Sequence, residues 1–232
     1  MYWIVAIVVL CLILFMVWAS ADVGSNVYLR TLCRAATTER VVALTFDDGP
    51  DPVMTPLVLD TLRQRGVKAT FFLVGSKVAQ HPDIVRRIVE EGHTVGNHTH
   101  THSAYFPLRS RVRVEEELDM CHKAIFEATG LKPQLFRPPF GVTNPIIGRA
   151  VRSRGYRTIG WSIRSLDTMS SRTRREVWQS VVRRLHTGGI ILLHDRCDGA
   201  ERLLAELIDV TLERGYRFES LDKMLNVDAY EN

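Results

Sequence analysis

The sequence predicts an α/β protein in which about seven parallel strands form a distorted or incomplete (β/α) barrel. Two observations support this fold class. From Val41 onward, short apolar runs alternate with longer amphipathic segments, and a glycine follows each amphipathic segment. Regular alternation of strands and helices is typical of a parallel sheet covered by helices. About seven such units in residues 41–225 are too few for a complete eightfold barrel.

The predicted elements follow one another in a simple order. Short apolar runs predict buried strands, and longer segments with an apolar period near 3.6 residues predict helices. Glycine readily adopts the left-handed conformation that ends a helix. Strands are expected at 41–46, 68–74, 93–96, 134–136, 156–161, 189–193 and 216–218. Helices are expected at 55–65, 83–91, 112–129, 145–154, 172–185 and 201–214, followed by Gly66, Gly92, Gly130, Gly155, Gly188 and Gly215.

An apolar segment precedes this domain. The 18 residues from Tyr2 to Ala19 carry no charge, and the first charged residue is Asp22. As a helix this run would be about 27 Å long, close to the ~30 Å of a bilayer's hydrocarbon core. Residues 1–21 are therefore expected to be a transmembrane anchor, or a signal peptide cleaved after Ala21. A buried core helix is disfavoured, because little sequence before the first strand could cover it.

The rest of the chain divides into three parts. Residues 22–40 have no clear period and are expected to be a linker, residues 41–225 the folded domain and residues 226–232 a tail. Positive residues tend to remain on the cytoplasmic side of a span, so the arginines of the linker favour a cytoplasmic domain. These arginines are Arg30, Arg34 and Arg40.

The composition describes a globular protein of moderate charge. Apolar residues make up 46% and charged residues 24% of the 232 positions, which excludes a disordered or fibrous chain. The net charge is +4, with 25 arginines against 5 lysines. The arginines are dispersed, so they are expected to be solvated or to meet an anionic polymer or lipid, and neither a nucleic acid nor a protein partner is predicted. The four cysteines show no C-x-x-C spacing and predict no disulfide framework.

Polar residues collect directly after several predicted strands. Asp47 and Asp48 follow the first strand, Arg137 follows the fourth, and His194 ends the sixth. In barrels of parallel strands the chemistry lies at the carboxyl ends of the strands. Residues that are far apart in the sequence are therefore expected to meet at one rim.

A histidine cluster follows the third strand. His98, His100 and His102 are spaced two residues apart, so their imidazoles can point together from a loop or a helical turn. Two histidines and one carboxylate suit Zn²⁺ or another divalent transition metal and leave positions open for water and substrate. Only two histidines are needed, and the spacing leaves open which two they are.

The two adjacent acids could supply the carboxylate. Adjacent acids after a buried strand are electrostatically costly unless a cation or a base pairs with them. Because side chains alternate along a strand, Asp47 and Asp48 are expected to point in different directions and to have different roles. One could bind a metal while the other takes a proton from water. Gly49 and Pro50 then predict an abrupt turn that opens a rim loop.

Four motifs occur in order along the chain: Thr45-Phe46-Asp47-Asp48-Gly49, His98-Thr99-x-x-His102, Arg137-Pro138-Pro139-Phe140-Gly141 and Leu192-Leu193-His194-Asp195. Together they resemble the polysaccharide deacetylases of the NodB-homology class, also called carbohydrate esterase family 4. The resemblance covers nearly the whole of residues 41–225 and implies a NodB-type barrel.

The resemblance implies a metal site and a base. Asp48, His98 and His102 would bind the metal, with Zn²⁺ as the first expectation and Co²⁺ or another transition metal as alternatives. Asp47 would be the general base that deprotonates the metal-bound water. Arg137 would hold Asp47 in place.

The resemblance also implies an acid, an oxyanion donor and substrate contacts. His194 would protonate the departing amine, and Asp167 would orient His194 and favour its protonated form. The backbone N–H of Phe140 would stabilise the oxyanion of the tetrahedral intermediate. One of the two leucines before His194 is expected to line a pocket for the acetyl methyl group. Substrate binding is assigned to Pro139, Leu192 and Arg164.

One segment departs from the family pattern. Arg164 stands where the family often has an aspartate, and Thr168 replaces a tryptophan that usually walls the pocket. Arg164 is expected either to meet a carboxylate or phosphate of the substrate or to point outward. The departure affects the expected sugar site more than the metal chemistry.

The sequence therefore predicts a metal-dependent hydrolase that removes N-acetyl groups from N-acetylhexosamine residues of a peptidoglycan- or chitin-like polysaccharide or oligosaccharide. An O-acetyl polysaccharide esterase and a catalytically silent carbohydrate-binding protein are the alternatives. The expected location is the cell membrane, with one span and the catalytic domain outside the cytoplasm, or secretion if the chain is cleaved after Ala21. The arginines of the linker favour the opposite orientation, but the expected polysaccharide substrate lies outside the cytoplasm and is given more weight.

Overall fold

The centre of the molecule is a sheet of nine strands, all paired in parallel. The structure, a computed structural model, describes residues 2–231. The strands are β1 (Thr31–Leu32), β2 (Val41–Gly49), β3 (Ala69–Leu73), β4 (Thr94–Asn97), β5 (Leu135–Phe136), β6 (Arg157–Ile159), β7 (Ile163–Arg164), β8 (Gly189–His194) and β9 (Arg217–Phe218). Eight of them follow the order β1-β6-β5-β4-β3-β2-β8-β7, and β9 pairs with β2. The predicted incomplete parallel barrel is confirmed, with two short strands, β1 and β7, beyond the seven expected.

Helices connect the strands and cover the sheet. They are α1 (Tyr2–Ala21), α2 (Met54–Arg65), α3 (Gly75–Gln80), α4 (Pro82–Glu90), α5 (Arg111–Thr129), α6 (Pro145–Ser153), α7 (Arg174–Val182), α8 (Ala200–Glu213) and α9 (Leu221–Leu225). The six predicted helices of the domain are present, with ends within a few residues of those expected. The sequence did not predict α3 and α9, because 6 and 5 residues are too short to display a helical period.

Alternation along β2 separates two parts of the core. Val42, Leu44 and Phe46 pack in the larger apolar cluster beneath the helices, whereas Ala43 packs inside the barrel with residues of the other strands. Thr45 and Asp47 share the parity of Ala43, because successive side chains of a strand point to opposite faces. The interior face of β2 therefore changes from apolar to polar toward the rim.

Residues 22–40, expected to be a linker, pack across the open side of the barrel. Within this segment β1 pairs with β6 at one end of the sheet, and Arg34 forms a bridge with Gly189 of β8 near the other end. The N–H of Ala35 donates to the carbonyl of Gly188 over 2.9 Å. A Cβ at Gly188 would lie only 2.4 Å from the carbonyl oxygen of Ala35, so glycine is required for this approach. The sheet thus begins before residue 41.

The C-terminal segment also packs on the domain. The carbonyl of Ala229 accepts from the N–H of Gln134 over 2.8 Å. The hydroxyl of Tyr230 accepts from the N–H of Val95 over 2.9 Å. The segment expected to be a tail therefore accepts hydrogen bonds from main-chain N–H groups within β4 and next to β5.

The apolar segment forms α1, which extends from the domain. Of the residues of α1, only Ala19 is buried against the domain. Among the residues that the structure describes, α1 is the one helix long and apolar enough to cross a membrane. A signal sequence can have the same length and composition. These two properties therefore fit both a transmembrane anchor and a signal peptide at residues 1–21.

Candidate active site

The predicted rim residues meet in one cleft of about 550 Å³ at the carboxyl ends of the strands. The pairing of β2 with β8 sets Asp47 opposite His194, although the two residues are far apart in the sequence. Eight of the eleven residues assigned from the sequence line the cleft, and Arg137, Pro139 and Asp167 lie behind its wall. The eight are Asp47, Asp48, His98, His102, Phe140, Arg164, Leu192 and His194.

Asp48, His98 and His102 form a cluster that fits a metal ion. One ligand atom from each lies within 4.8 Å of the other two. Nε2 of His102 is 3.2 Å and Nε2 of His98 is 3.5 Å from Oδ1 of Asp48. Nδ1 of His98 lies 2.8 Å from the carbonyl oxygen of Arg137, which can only accept, so Nδ1 donates this hydrogen bond and Nε2 is the ring nitrogen that faces Asp48. Two imidazoles and a carboxylate are a donor set for Zn²⁺ and similar cations.

The ionisation states also suit a metal. Burial alone would raise the pKa of Asp48, but hydrogen bonds with His98 and Arg196 and the nearby imidazoles hold it well below its usual value. Burial lowers the pKa of His102 to about 4, and the neighbouring His98 acts in the same direction. Asp48 is therefore an anion and His102 is neutral near neutral pH, as metal coordination requires.

The two adjacent acids share one cavity, so the expectation that they point in different directions is wrong. Oδ2 of Asp47 lies 3.8 Å from Nε2 of His98, close to the same imidazole nitrogen that Asp48 approaches. Asp48 has a φ of +72°, and the pairing of β2 with β3 shifts register between Asp47 and Gly49. This bulge breaks the alternation of side chains. The partners of the two acids still differ, as their expected roles require.

Asp47 is held by a buried arginine. Nη1 of Arg137 donates to Oδ1 of Asp47 over 2.7 Å and to the hydroxyl of Thr45 over 2.8 Å. Nη2 of Arg137 donates to the carbonyl of Gly160 over 2.8 Å, and the guanidinium lies over the ring of Phe72. Arg137 is fully buried, so Asp47 compensates a charge that water cannot reach. Oδ2 of Asp47 is left facing the cluster.

His194 is oriented by Asp167. Nδ1 of His194 lies 2.8 Å from Oδ1 of Asp167, and the backbone N–H of His194 donates to Oδ2 over 2.8 Å. The hydroxyl of Ser165 donates to Asp167 over 2.8 Å and fixes that carboxylate in turn. Burial alone would lower the pKa of His194, but the hydrogen bond and charge of Asp167, with Asp47 and Asp48 nearby, raise it overall.

A buried glutamate that sequence reasoning missed shapes the histidine loop. Glu117 of α5 accepts from the backbone N–H groups of His100 and Thr101 over 3.0 and 2.7 Å. The ring of His100 turns away from the cluster, and a Cβ at Gly75 would lie 2.7 Å from its Nδ1. His100 is therefore the histidine that the cluster does not include. Glu117 lies inside an amphipathic helical pattern and has no local sequence signal.

The Arg137–Gly141 segment supplies one wall of the cleft. Phe140 is half exposed, has a φ of +60°, and its ring centroid lies 4.8 Å from that of His102. Pro139 was assigned to substrate binding, but its side chain is buried and it does not line the cleft. The turn presents Phe140 to the cleft and directs Pro139 inward, because consecutive side chains leave a tight turn in different directions.

Two of the residues assigned to substrate binding, the apolar Leu192 and the cationic Arg164, line the cleft. Leu192, rather than Leu193, lines the cleft, because the alternation of β8 turns Leu193 into the outer apolar cluster. Arg164 is exposed and lines the cleft, with its guanidinium 5.8 Å from the ring of Trp161. Thr168 lines the same wall.

Two cations close to Asp48 were also missed. Nε of Arg196 donates to Oδ2 of Asp48 over 2.8 Å, and Nζ of Lys77 donates to the carbonyl of Asp48 over 2.7 Å. Both side chains line the cleft. Arg196 follows His194-Asp195 directly, so its position next to the last motif was an available signal. Lys77 lies in α3, a helix that the sequence did not predict.

Backbone strain is concentrated at this rim. Among the described residues, seven other than glycine have a positive φ, and five of them lie in or beside the cleft. The other two are asparagines, which tolerate this conformation best. Each strained residue costs about 1–3 kcal/mol and persists only where its surroundings impose it. The five are Asp48, Thr99, His102, Phe140 and Leu166.

An incomplete parallel barrel with these paired residues at its carboxyl rim defines a metal-dependent hydrolase. The sequence profile of the polysaccharide deacetylase family matches residues 34–159. This chain belongs to the polysaccharide deacetylase family, carbohydrate esterase family 4, whose members are metal-dependent.

Individual relatives agree with this membership. A peptidoglycan-N-acetylglucosamine deacetylase of Bacillus cereus is 36% identical over 191 residues, which are 81% of this chain and 89% of that protein. The peptidoglycan-N-acetylmuramic acid deacetylase PdaA of Bacillus subtilis is 32% identical over 193 residues, 82% of this chain and 73% of that protein. The crystal structure of a peptidoglycan N-acetylglucosamine deacetylase bound to 4-naphthalen-1-yl-N-oxidanyl-benzamide matches with a TM-score of 0.81 and 28% identity, over 87% of this chain and 95% of that chain.

Proposed function

We propose that this protein is an N-deacetylase that releases acetate from N-acetylhexosamine residues of a peptidoglycan- or chitin-like glycan. The supporting observation is that the Asp47–Arg137 pair and the His194–Asp167 pair share one cleft with the Asp48-His98-His102 cluster. Hydrolysis of an amide needs a deprotonated water, a polarised carbonyl and a proton for the departing nitrogen. The three groups of residues match these three needs.

Asp48, His98 and His102 would hold Zn²⁺, with Co²⁺ or another divalent transition metal as alternatives. When bound, such a cation polarises the acetyl carbonyl and lowers the pKa of water. The protein's contribution is to fix Asp48 by its bulged backbone and by the hydrogen bond from Arg196.

Asp47 is the proposed general base. Its Oδ1 is occupied by Arg137, so Oδ2 remains free to accept a proton from the attacking water. The fully buried guanidinium fixes the carboxylate in one orientation. A base held in the productive orientation lowers the entropic part of the activation barrier.

His194 is the proposed general acid. Asp167 engages Nδ1, which leaves Nε2 as the atom that donates a proton to the leaving nitrogen. The raised pKa of His194 keeps it protonated to a higher pH than a free histidine. An amine leaves poorly as an anion, so this proton is essential for amide cleavage.

The remaining assignments concern the acetyl group and the sugar. The backbone N–H of Phe140 would donate to the developing oxyanion. Leu192 would contact the acetyl methyl group, and Arg164 would contact an anionic group of the glycan. The side chain of Pro139 supports the turn from behind rather than contacting the sugar.

The proposed location is the outer surface of the cytoplasmic membrane, with α1 retained as an anchor. The relatives are named for peptidoglycan, a polymer found outside the cytoplasm. Ala19 at the end of α1 is fully buried, and its carbonyl accepts from the hydroxyl of Ser25 over 2.8 Å. Cleavage after Ala21 would remove this contact. Protease treatment of intact cells tests the orientation, since only an external domain is digested.

Acetate release tests the activity. The full chain, loaded with Zn²⁺ or Co²⁺, is incubated with N-acetylglucosamine oligomers, peptidoglycan and acetylated xylan. We expect release from the first two. Release from xylan alone would identify an O-acetyl esterase, and release from none, with metal bound, would identify a silent carbohydrate-binding protein.

A further inference from the structure

The segment between α1 and β2 does not act as a free tether. Extended, its 19 residues could span about 65 Å and would let the domain reach far from a membrane. In the structure Val23 and Leu29 are buried, and the segment is tied to the domain by β1. The guanidinium of Arg152 donates to the carbonyl of Tyr28 over 2.8 Å. The catalytic domain is therefore held directly against the end of α1.

The end of α1 contacts the loop that forms the cleft. The N–H of Thr143 donates to the carbonyl of Ser20 over 3.0 Å, and its hydroxyl donates to the carbonyl of Ala19 over 3.4 Å. Thr143 and Ala19 are both buried. Gly141 lines the cleft only two residues before Thr143, so their Cα atoms are at most about 7.6 Å apart.

These lengths set the depth of the cleft. With 20 residues, α1 is about 30 Å long and matches the hydrocarbon core, so its end lies at the bilayer surface when it spans. The headgroup layer on each side is roughly 5–8 Å thick. Two Cα–Cα steps and the 3.0 Å hydrogen bond from Thr143 to Ser20 place the start of the cleft within about 12 Å of the end of α1, at or directly above that layer.

An exposed apolar patch lies on the same side. Tyr105, Leu108 and Val112, here called the rim patch, are 71%, 82% and 63% exposed. The side-chain amide of Asn144, next to Thr143, donates to the carbonyl of Pro107 over 2.7 Å and joins the rim patch to the end of α1. A single exposed leucine needs no explanation, but an apolar cluster beside a span fits the membrane interface.

An apolar groove runs from the cleft wall along α1. It has a volume of about 400 Å³ and is lined by Met16, Val17, Ser20, Ala21 and Val142. Val142 is the next residue after Gly141 of the cleft. The groove therefore lies between the segment that forms the cleft wall and the surface of α1.

We propose that the cleft works at the bilayer surface on an N-acetylated saccharide attached to a membrane lipid, with the lipid chain leaving along the groove of Met16, Val17 and Val142. This inference rests on the proposed deacetylase function and on α1 as an anchor. A domain without a flexible tether meets saccharides that are carried by the membrane before it meets a distant polymer. The exposed apolar rim patch enters the interface.

The test compares one saccharide in two forms. The metal-loaded full chain is placed in vesicles of phosphatidylethanolamine and phosphatidylglycerol. N-acetylchitotetraose is supplied either free or carrying a hexadecyl chain at its reducing end, and acetate release is measured. We expect at least tenfold faster release from the lipid-linked form. Equal rates would overturn this inference and leave the proposed function intact, whereas no release from either form would overturn both.

A matched pair of variants separates docking from simple anchoring. Leu108→Asp places a charge in the rim patch, and Leu212→Asp places one on an exposed leucine of α8. Leu212 lies at the end of α8 that leads to the start of β9, opposite the catalytic rim. We expect Leu108→Asp to lower the rate on the lipid-linked form at least fivefold and to leave the free form within twofold. Leu212→Asp should change neither, and a Leu108→Asp variant that keeps its preference would overturn the inference.

A depth measurement gives a readout independent of catalysis. Tyr105→Trp and Leu212→Trp each add an exposed indole to the same protein. We expect lipids brominated near the headgroup to quench the fluorescence added at position 105 and not that added at 212. Equal quenching at the two positions would show that the rim patch is not at the bilayer surface.

Discussion

Arg196 donates from Nε to Oδ2 of Asp48 over 2.8 Å, while Oδ1 of the same carboxylate lies 3.2 Å from Nε2 of His102. The two oxygens of Asp48 therefore have different partners. The guanidinium keeps Oδ1 turned toward the histidines and prevents Oδ2 from joining them. In the proposed metal site Arg196 is thus an outer partner of the ligand Asp48, a kind of residue whose loss weakens metal binding.

We expect Arg196→Gln to weaken Zn²⁺ binding by about 10–100-fold, because Asp48 loses the group that fixes its orientation. Competition with a chromogenic chelator measures the dissociation constant. Arg202→Gln is the control, since Arg202 is 75% exposed and pairs with Glu201, away from Asp48. An unchanged constant in Arg196→Gln would mean that the backbone of Asp48 alone orients the carboxylate.

His98→Ala and His100→Ala form a matched pair within one loop. We expect His98→Ala to lose the metal, as Asp48→Ala and His102→Ala should, because each removes a member of the cluster. His100→Ala should retain it, since the ring of His100 faces Gly75 rather than Asp48. Metal content after dialysis is the measurement. The opposite result, with metal lost only in His100→Ala, would show that the assignment of ligands is wrong.

Asp47→Asn should keep the metal and lose turnover. The amide oxygen can still accept from Arg137, so the guanidinium keeps this hydrogen bond although its charge is no longer neutralised, but an amide cannot take a proton from water. We expect kcat to fall about 10²–10⁴-fold, the usual contribution of a general base. Metal content and thermal unfolding measured on the same sample serve as controls. A kcat within tenfold of the parent would assign the base to another residue.

Asp167→Asn should move the alkaline limb of the pH–rate profile to lower pH. In the parent protein Asp167 outweighs burial and raises the pKa of His194. A general acid acts only while protonated, so activity falls as the pH rises through that pKa. Without the carboxylate of Asp167, the activity should begin to fall at a lower pH. Ser165→Ala removes a hydrogen bond to Asp167 and keeps its charge, and its limb should move much less.

Asp195→Asn should make the stability of the protein less sensitive to a rise in pH toward neutrality. Burial raises the pKa of Asp195 to about 7 from its ordinary 3.8, against the opposing hydrogen bond from Thr55. Because the folded-state pKa is the higher one, the associated stability is complete below the unfolded-state pKa and is lost as pH rises through the folded-state value. Urea unfolding from about pH 5 to about pH 8 should show a smaller loss in the variant. Equal losses would mean that Asp195 does not titrate in this range.

The identity of the chemistry could be predicted from local motifs. Asp47, His98, Arg137 and His194 each follow a predicted strand, and parallel strands bring such positions to one rim. Residues whose function depends on contacts with distant segments gave no such signal. Glu117 supports the histidine loop from inside α5, and Lys77 holds the carbonyl of Asp48 from a helix too short to predict.

The sequence by itself determined the parallel α/β fold, the donor types of the site and the apolar α1, because these follow from periodicity and from the residues within each motif. Only the tertiary structure decided that Asp47 and Asp48 face one cavity, since this depends on the left-handed backbone of Asp48. It also decided that residues 22–40 pack across the open side of the barrel. Both outcomes depend on packing between segments far apart in the chain, which local patterns do not encode.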